Sequence, residues 1–149
     1  MATMSVPMSS FDIRVVEISQ DVTFVKLGVS FANKMSFVYR LAYKAVALTY
    51  ALKQTLEKQG EFIDMLNGPM GLNLSHAQLA DMAEKIEHLV GLNDALLNSA
   101  APRFPPWTKL FVTLRNQRDN LESIAESYRC AADFECESLL AMALETVGV

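Results

Sequence analysis

The chain has 149 residues, of which 51% are hydrophobic and 20% are charged, and its net charge is −4. This composition excludes a disordered chain, which needs low hydrophobicity and high net charge, and the overall charge gives no reason to expect binding to nucleic acid. We expect a single domain with a core of its own.

The charges form blocks of alternating sign. Residues 26–58 carry six bases and one acid, residues 61–94 six acids and one base, residues 103–118 four bases, and residues 119–149 seven acids and one base. This pattern favours oppositely charged helices that lie side by side. The alternative is a basic face, including Arg40 and Lys44, that is directed at an anionic surface.

The N-terminal part is predicted to be a flexible leader over residues 1–10, followed by a helical domain over residues 11–149. Apolar residues recur in steps of three and four, as on one side of a helix: Phe11, Val15, Ile18, Val22, Val25 and Val29. The many valines would also suit a strand. We predict the helix, because no other part of the sequence offers a strand with which this one could pair.

The next helix is predicted over residues 29–59, with Gly60 as the residue that ends it. Its apolar stripe alternates steps of three and four, like the heptads of a coiled coil: Met35, Val38, Ala42, Ala45, Thr49, Leu52 and Leu56. Phe37, Leu41 and Leu48 mark a second apolar face, so we expect this helix to be the most buried. Its longest apolar run, residues 45–52, is far shorter than the roughly 20 residues of a membrane span. No transmembrane segment is predicted.

A loop rich in Gly and Pro is predicted at residues 67–71. Ser75 and Gln78 then form a capping-box pattern, which predicts a helix from His76 to about Asn98. Its buried stripe is predicted at Leu79, Met82, Ile86, Leu89, Asn93 and Leu96. Residues 74–83 resemble the start of a helix-turn-helix unit, but the acidic continuation of the same helix replaces the recognition helix that DNA binding needs.

The final helix is predicted from Trp107 to about Thr146, with an apolar stripe at Leu114, Leu121, Ala125, Tyr128, Ala132, Leu139 and Ala143. Forty helical residues span roughly 60 Å, whereas a compact chain of this length is only about 40 Å across. Either the helix breaks or the molecule is elongated and paired. Cys130 and Cys136 lie too far apart on an intact helix for a disulfide. With no disulfide framework and no signal peptide, we expect a cytoplasmic location.

No motif for catalysis or metal binding is found. Neither histidine has the Glu-x-x-His spacing of a di-metal bundle, and no nucleophile motif is present. We therefore predict no catalytic residue, metal ligand or cofactor. The predicted partner-binding residues are Phe104, Trp107, Tyr128, Leu139, Leu140 and Met142.

The predicted fold is all-α: an antiparallel bundle of three long helices with a fourth, N-terminal helix, oligomeric and most simply a homodimer through the last helix. The predicted function is that of a non-enzymatic interaction or regulatory protein, which binds a protein partner through an apolar helix face and self-associates. The alternative is a small-ligand-binding or enzymatic bundle with a pocket between helices, lined by Met35, Phe37, Tyr39, Tyr43 or Tyr50.

Overall fold

The computed structural model describes residues 10–68, 74–99 and 105–146, with the side chains of the last segment described for residues 107–133. The helices are α1 (Ser10–Ala32), α2 (Phe37–Tyr43), α3 (Thr49–Asn67), α4 (His76–Ser99) and α5 (Pro105–Thr146). A π-helical turn, Lys44–Leu48, joins α2 to α3 without a break, and we call it the π-turn. These residues include no strand, so the predicted all-α bundle is confirmed and the N-terminal segment is a helix. Of the predicted leader, only Ser10 lies among the described residues.

Side-chain contacts show the direction in which each helix runs. Two contacts give the relative direction in each pair of helices: Asp21–Lys58 and Arg14–Glu61 between α1 and α3, Thr49–Trp107 and Leu56–Gln117 between α3 and α5, and Arg118–Asp94 and Arg129–Glu87 between α5 and α4. Accordingly α1 is antiparallel to α3, α3 is parallel to α5, and α5 is antiparallel to α4. Extensive contacts join α4 to α5, α1 to α4, α3 to α5 and α1 to α3. The molecule is therefore a four-helix bundle in which α1 and α5 occupy opposite corners.

The predicted apolar stripes of α1 and α4 form the core. The α1 stripe from Phe11 to Val29 is buried along its whole length, as are the α4 positions from Met82 to Leu96. The capping box is also confirmed: the Ser75 N–H donates to Gln78 Oε1 at 2.8 Å, and the Gln78 N–H donates to Ser75 Oγ at 3.2 Å. Two N–H groups that the first turn of α4 would leave without partners are thus satisfied.

Three amide side chains meet where α3, α4 and α5 come together. Gln59 and Asn93 are fully buried, and Gln117 is half-buried. Gln59 Nε2 donates to Asn93 Oδ1 and to Gln117 Oε1, both at 2.9 Å, while Asn93 Nδ2 donates to Gln59 Oε1 at 2.8 Å. The amides of Asn93 and Gln117 also donate to the carbonyl oxygens of Leu89 and Leu56. A buried polar network with its bonds made in this way rigidifies a core.

The predicted helix over residues 29–59 is wrong at both ends. α1 extends to Ala32, and the chain then turns through extended backbone at Ser36 (φ −63°, ψ 158°) before α2 begins. Gly60 does not end the second helix, which continues to Asn67. A Cβ at Gly60 would lie 3.3 Å from Gln117 Nε2. The glycine is therefore explained by the close approach of α5 and not by a helix end.

The prediction that this helix is the most buried is also wrong. α2 has no buried residue, and Val38 is 71% exposed. The cause is that α2 packs mainly against α1 and the π-turn, so most of its surface stays uncovered. Within the π-turn, the Thr49 N–H donates to the Lys44 carbonyl oxygen, a step of five residues in place of four. The extra residue rotates everything that precedes it by about 100° relative to α3. Leu52 and Leu56 consequently face the core, whereas Val38 on the same sequence stripe faces outwards.

Gly28 and Gly91 both lie inside helices, but only Gly28 lies against a neighbour. A Cβ at Gly28 would overlap the Cδ2 atom of the buried Leu48, whereas a Cβ at Gly91 would meet nothing within 4 Å. We expect Gly28→Ala to lower the free energy of unfolding by about 1–3 kcal/mol and Gly91→Ala to raise it by about 0.5–1 kcal/mol. Urea denaturation measures both values. A stabilised Gly28→Ala variant would contradict tight packing of α1 on the π-turn.

Candidate functional site

Large apolar side chains are exposed in one stretch of chain, which runs from the last turns of α1 through α2 and the π-turn to the start of α3. Each is at least 40% exposed: Phe24, Leu27, Phe31, Phe37, Val38, Tyr39, Leu41, Val46 and Tyr50. Basic residues lie in the same stretch of chain: Lys26, Lys34, Arg40, Lys44 and Lys53. We call these two sets together the aromatic–basic surface. Elsewhere among the described side chains, the exposed large apolar residues are Ile13, Val16 and Val112.

The α1 part of this surface exists because α1 is apolar on two sides. Its valine stripe faces the core, and Phe24, Leu27 and Phe31, at steps of three and four, form a second stripe that faces outwards. These three side chains line an open groove of about 440 Å³ together with Tyr43 and Lys34. The rings of Phe31 and Tyr43 contact each other edge to face, with 6.2 Å between their centroids.

A second open groove, of about 390 Å³, adjoins the first. Phe24 lines both grooves, and Tyr50 and Lys58 lie on the walls of the second. Lys58 donates a hydrogen bond to Asp21 at 3.0 Å, and this bond raises the pKa of the lysine. The shared phenylalanine makes the apolar surface continuous from the end of α1 to the start of α3.

The α2 part is apolar over much of its circumference. Phe37, Val38 and Tyr39 follow one another directly, and each is more than two-thirds exposed. Because successive helical residues point about 100° apart, these three side chains span an arc of about 200°. α2 makes its contacts with α1 and the π-turn, and the half-buried Arg40 and Tyr43 lie on that inner side. Most of the short helix is therefore exposed to solvent.

The basic residues of the surface form no described ion pair. The ion pairs among the described residues involve Arg14, Lys58, Lys85, Arg118 and Arg129. Two of these pairs, Arg118 with Asp94 and Arg129 with Glu87, join α5 to α4, as expected for oppositely charged helices that lie side by side. Arg118 gains a raised pKa from its hydrogen bond to Asp94.

Residues 26–53 are the exception to this side-by-side charge pairing. Arg40 Nη2 donates to the Met35 carbonyl oxygen at 3.4 Å, and Lys44 Nζ lies 5.5 Å from the centroid of the Trp107 ring. Neither contact neutralises a charge. The surface is therefore apolar at its centre and carries positive charge that the described carboxylates leave uncompensated.

Trp107 holds the π-turn in place from beneath the surface. Its Nε1–H donates to Thr49 Oγ1 at 2.8 Å, Thr49 Oγ1 in turn donates to the Lys44 carbonyl oxygen, and the indole stacks on Phe111 with 5.8 Å between ring centroids. Trp107 is only 1% exposed. The side chain packs inside the bundle, and its predicted role in binding a partner stays a prediction.

The other predicted partner residues do not join the aromatic–basic surface among the described side chains. Tyr128 on α5 is half-buried against the core, and this burial raises the pKa of its phenol. Leu139, Leu140 and Met142 belong to α5, but their side chains lie outside the described set, and Phe104 lies outside the described residues altogether. Cys130 is exposed on the unbroken α5.

The residues predicted to line a ligand pocket do not converge between helices. Phe37, Tyr39 and Tyr50 are 67–72% exposed on the outside of the bundle, and Met35 and Tyr43 are half-buried at its edge. Phe24, Leu27 and Phe31 were missed, because only the valine-rich stripe of this helix was identified from the sequence. The available signal was a second set of apolar residues at helical spacing, with Lys26 and Lys34 in the same segment.

Among the residues that the structure describes, no group of three His, Cys, Asp or Glu side chains is placed to hold a metal ion. None of the described helices combines the length and apolarity needed to cross a bilayer. Comparison of the chain with protein-family models, with curated protein sequences and with solved structures finds no match.

Proposed function

We propose that the protein is a non-enzymatic helical interaction protein that acts through its aromatic–basic surface. The observation that supports this proposal is the group of nine large apolar side chains exposed together on α1, α2, the π-turn and α3. Two adjoining grooves connect the members on α1 to Tyr50 on α3, and monomeric proteins rarely expose a contiguous apolar patch unless it binds a partner. The uncompensated positive charge around the patch adds a preference for a partner that is negatively charged.

Self-association through the end of α5 is a separate part of the proposal. Arg129 contacts Glu87, which lies 11 residues after the start of α4 at His76, while 17 residues of α5 follow Arg129 up to Thr146. By this register, α5 extends beyond α4 by six residues, or about 9 Å. Leu139, Leu140 and Met142 fall in or next to this extension, and we propose that a second copy of the chain covers them.

Sedimentation equilibrium at micromolar concentration tests the self-association. We expect a dimer, and we expect Leu139→Glu with Leu140→Glu to return it to the 16.5 kDa monomer, because each buried leucine contributes roughly 1.5–3 kcal/mol. Phe37→Ser with Val38→Ser should leave the dimer intact, since these residues lie on the other surface. A monomeric wild-type chain would remove self-association from the proposal. Loss of the dimer in the Phe37 and Val38 variant would place the second copy on the aromatic–basic surface.

A further inference from the structure

We propose that the partner of the aromatic–basic surface is an anionic lipid surface, on which α2 lies with its apolar arc in the headgroup region. This inference rests on the proposed function, because it names what the same surface binds. Three features support it: the width of the exposed apolar arc on α2, the exposed basic residues in the same stretch of chain, and the distribution of charge along the bundle.

The first feature is the width of the exposed arc on α2. A protein partner that packs on one side of a helix covers a single face, whereas Phe37, Val38 and Tyr39 are exposed over an arc of about 200°. A lipid interface surrounds a partly immersed helix and can contact the whole arc at once. The inner side of α2, at Arg40 and Tyr43, is already covered by the bundle.

The second feature is the set of exposed basic residues in the same stretch of chain as the arc. Lys26 and Lys34 lie on and just after the last turns of α1, and Lys53 lies on α3; all three side chains are exposed and none takes part in a described ion pair. Long lysine side chains can rest their methylene groups on an apolar surface while the ammonium reaches a lipid phosphate. Aromatic and aliphatic side chains flanked by such lysines are typical of helices that lie in the membrane interface.

The third feature is the separation of charge between the two ends of the bundle. The aromatic–basic surface lies at the end where α1 finishes, and residues 26–58 carry a net charge of +5, from six bases and one acid. The later part of α5 lies at the opposite end, where Arg129 contacts the first half of α4, and residues 119–149 carry −6, from seven acids and one base. An anionic membrane attracts the first end and repels the second, which orients the molecule.

Co-sedimentation with phosphatidylcholine vesicles, with and without phosphatidylserine, tests the inference. We expect binding to the vesicles that contain phosphatidylserine and weakening of that binding as salt is added. Lys26→Gln, Lys34→Gln and Lys53→Gln should each weaken it about fivefold. Arg14→Gln is the matched control, because it also removes one positive charge but lies near the start of α1, at the opposite end of the bundle from the surface, and it should bind like the wild type.

The apolar contribution is tested separately. Phe37→Ser with Val38→Ser should weaken vesicle binding at least about tenfold. Val112→Ser should leave it unchanged, because Val112 is an exposed valine on α5, at the opposite corner of the bundle from α1. Circular dichroism establishes that each variant is folded. The lysine variants alter exposed side chains only, and they measure the electrostatic contribution to vesicle binding independently of the apolar one.

The outcomes separate the lipid inference from the proposed function. Absence of vesicle binding, combined with a self-association that Phe37→Ser with Val38→Ser abolishes, would overturn the lipid inference in favour of a second copy and leave the interaction function standing. Absence of vesicle binding, with a dimer that these variants leave intact, would overturn the lipid inference alone. Absence of both vesicle binding and self-association would overturn both. Equal binding to vesicles with and without phosphatidylserine would also overturn the inference, since the basic residues would then have no role.

Discussion

Gln59→Leu is expected to lower the free energy of unfolding by about 3–5 kcal/mol. The substitution keeps the apolar stem but removes the amide that donates to Asn93 Oδ1 and Gln117 Oε1 and accepts from Asn93 Nδ2. Gln59 and Asn93 are both 0% exposed, so water cannot replace the lost bonds. Guanidinium denaturation followed by circular dichroism measures the change.

Gln54→Leu is the matched control, because Gln54 lies on the same helix and is exposed. It should change the stability by no more than about 0.5 kcal/mol. The double variant Gln59→Leu with Asn93→Leu should cost less than the sum of the two single variants, because replacing both amides leaves neither one buried without its partner. Additive costs would show that the two side chains act independently.

Trp107→Ala is expected to lower the free energy of unfolding by about 3–5 kcal/mol, as is typical when a large buried aromatic side chain is truncated. The indole fills the space between α5 and the π-turn, stacks on Phe111 and donates to Thr49 Oγ1. Trp107→Phe should cost less, about 1–2 kcal/mol, because it keeps an aromatic ring and loses the N–H donor.

The control for this series is Tyr39→Ala, which removes an aromatic side chain that is 72% exposed. Its effect on stability should lie within about 0.5 kcal/mol of zero. Denaturation curves followed by circular dichroism compare all three variants without relying on the fluorescence of the single tryptophan. If Trp107→Ala were as mild as Tyr39→Ala, the indole could not be an anchor of the π-turn.

The helices that the sequence predicts correctly are those whose limits and buried side are marked by residues within the helix segment itself. α4 combines a capping box at Ser75 and Gln78 with one uninterrupted apolar stripe, and both features appear where they were predicted. α5 has neither Pro nor Gly between its second residue and Thr146, and it remains one helix of 42 residues. The stripe predicted over residues 29–59 does not stay on one side of the helix, because a π-turn leaves no mark on a pattern of threes and fours. The turn is held by the local bond from Thr49 Oγ1 to the Lys44 carbonyl oxygen and by the bond from Trp107 to Thr49, which is distant in sequence.

The candidate site was harder to predict than the fold. Val38 and Leu52 belong to the same sequence stripe, yet one is 71% exposed and the other is fully buried. Hydrophobic periodicity identifies an apolar side of a helix but does not say whether a neighbour covers it. The charge pattern offered a basic face over residues 26–58 only as the alternative to charge pairing between helices, and the two residues named for it, Arg40 and Lys44, are half-buried.

The π-turn makes the outward face of α2 independent of the packing of α3. A chain that lacked one residue within Lys44–Leu48 could continue as an ordinary α-helix, and α2 would then turn by about 100° about its own axis. The core side of α3 would keep its register, while Phe37, Val38 and Tyr39 would point in new directions relative to α1. The length of this one turn therefore sets the direction in which the exposed apolar side chains of α2 point, and it can change without altering the core side of α3.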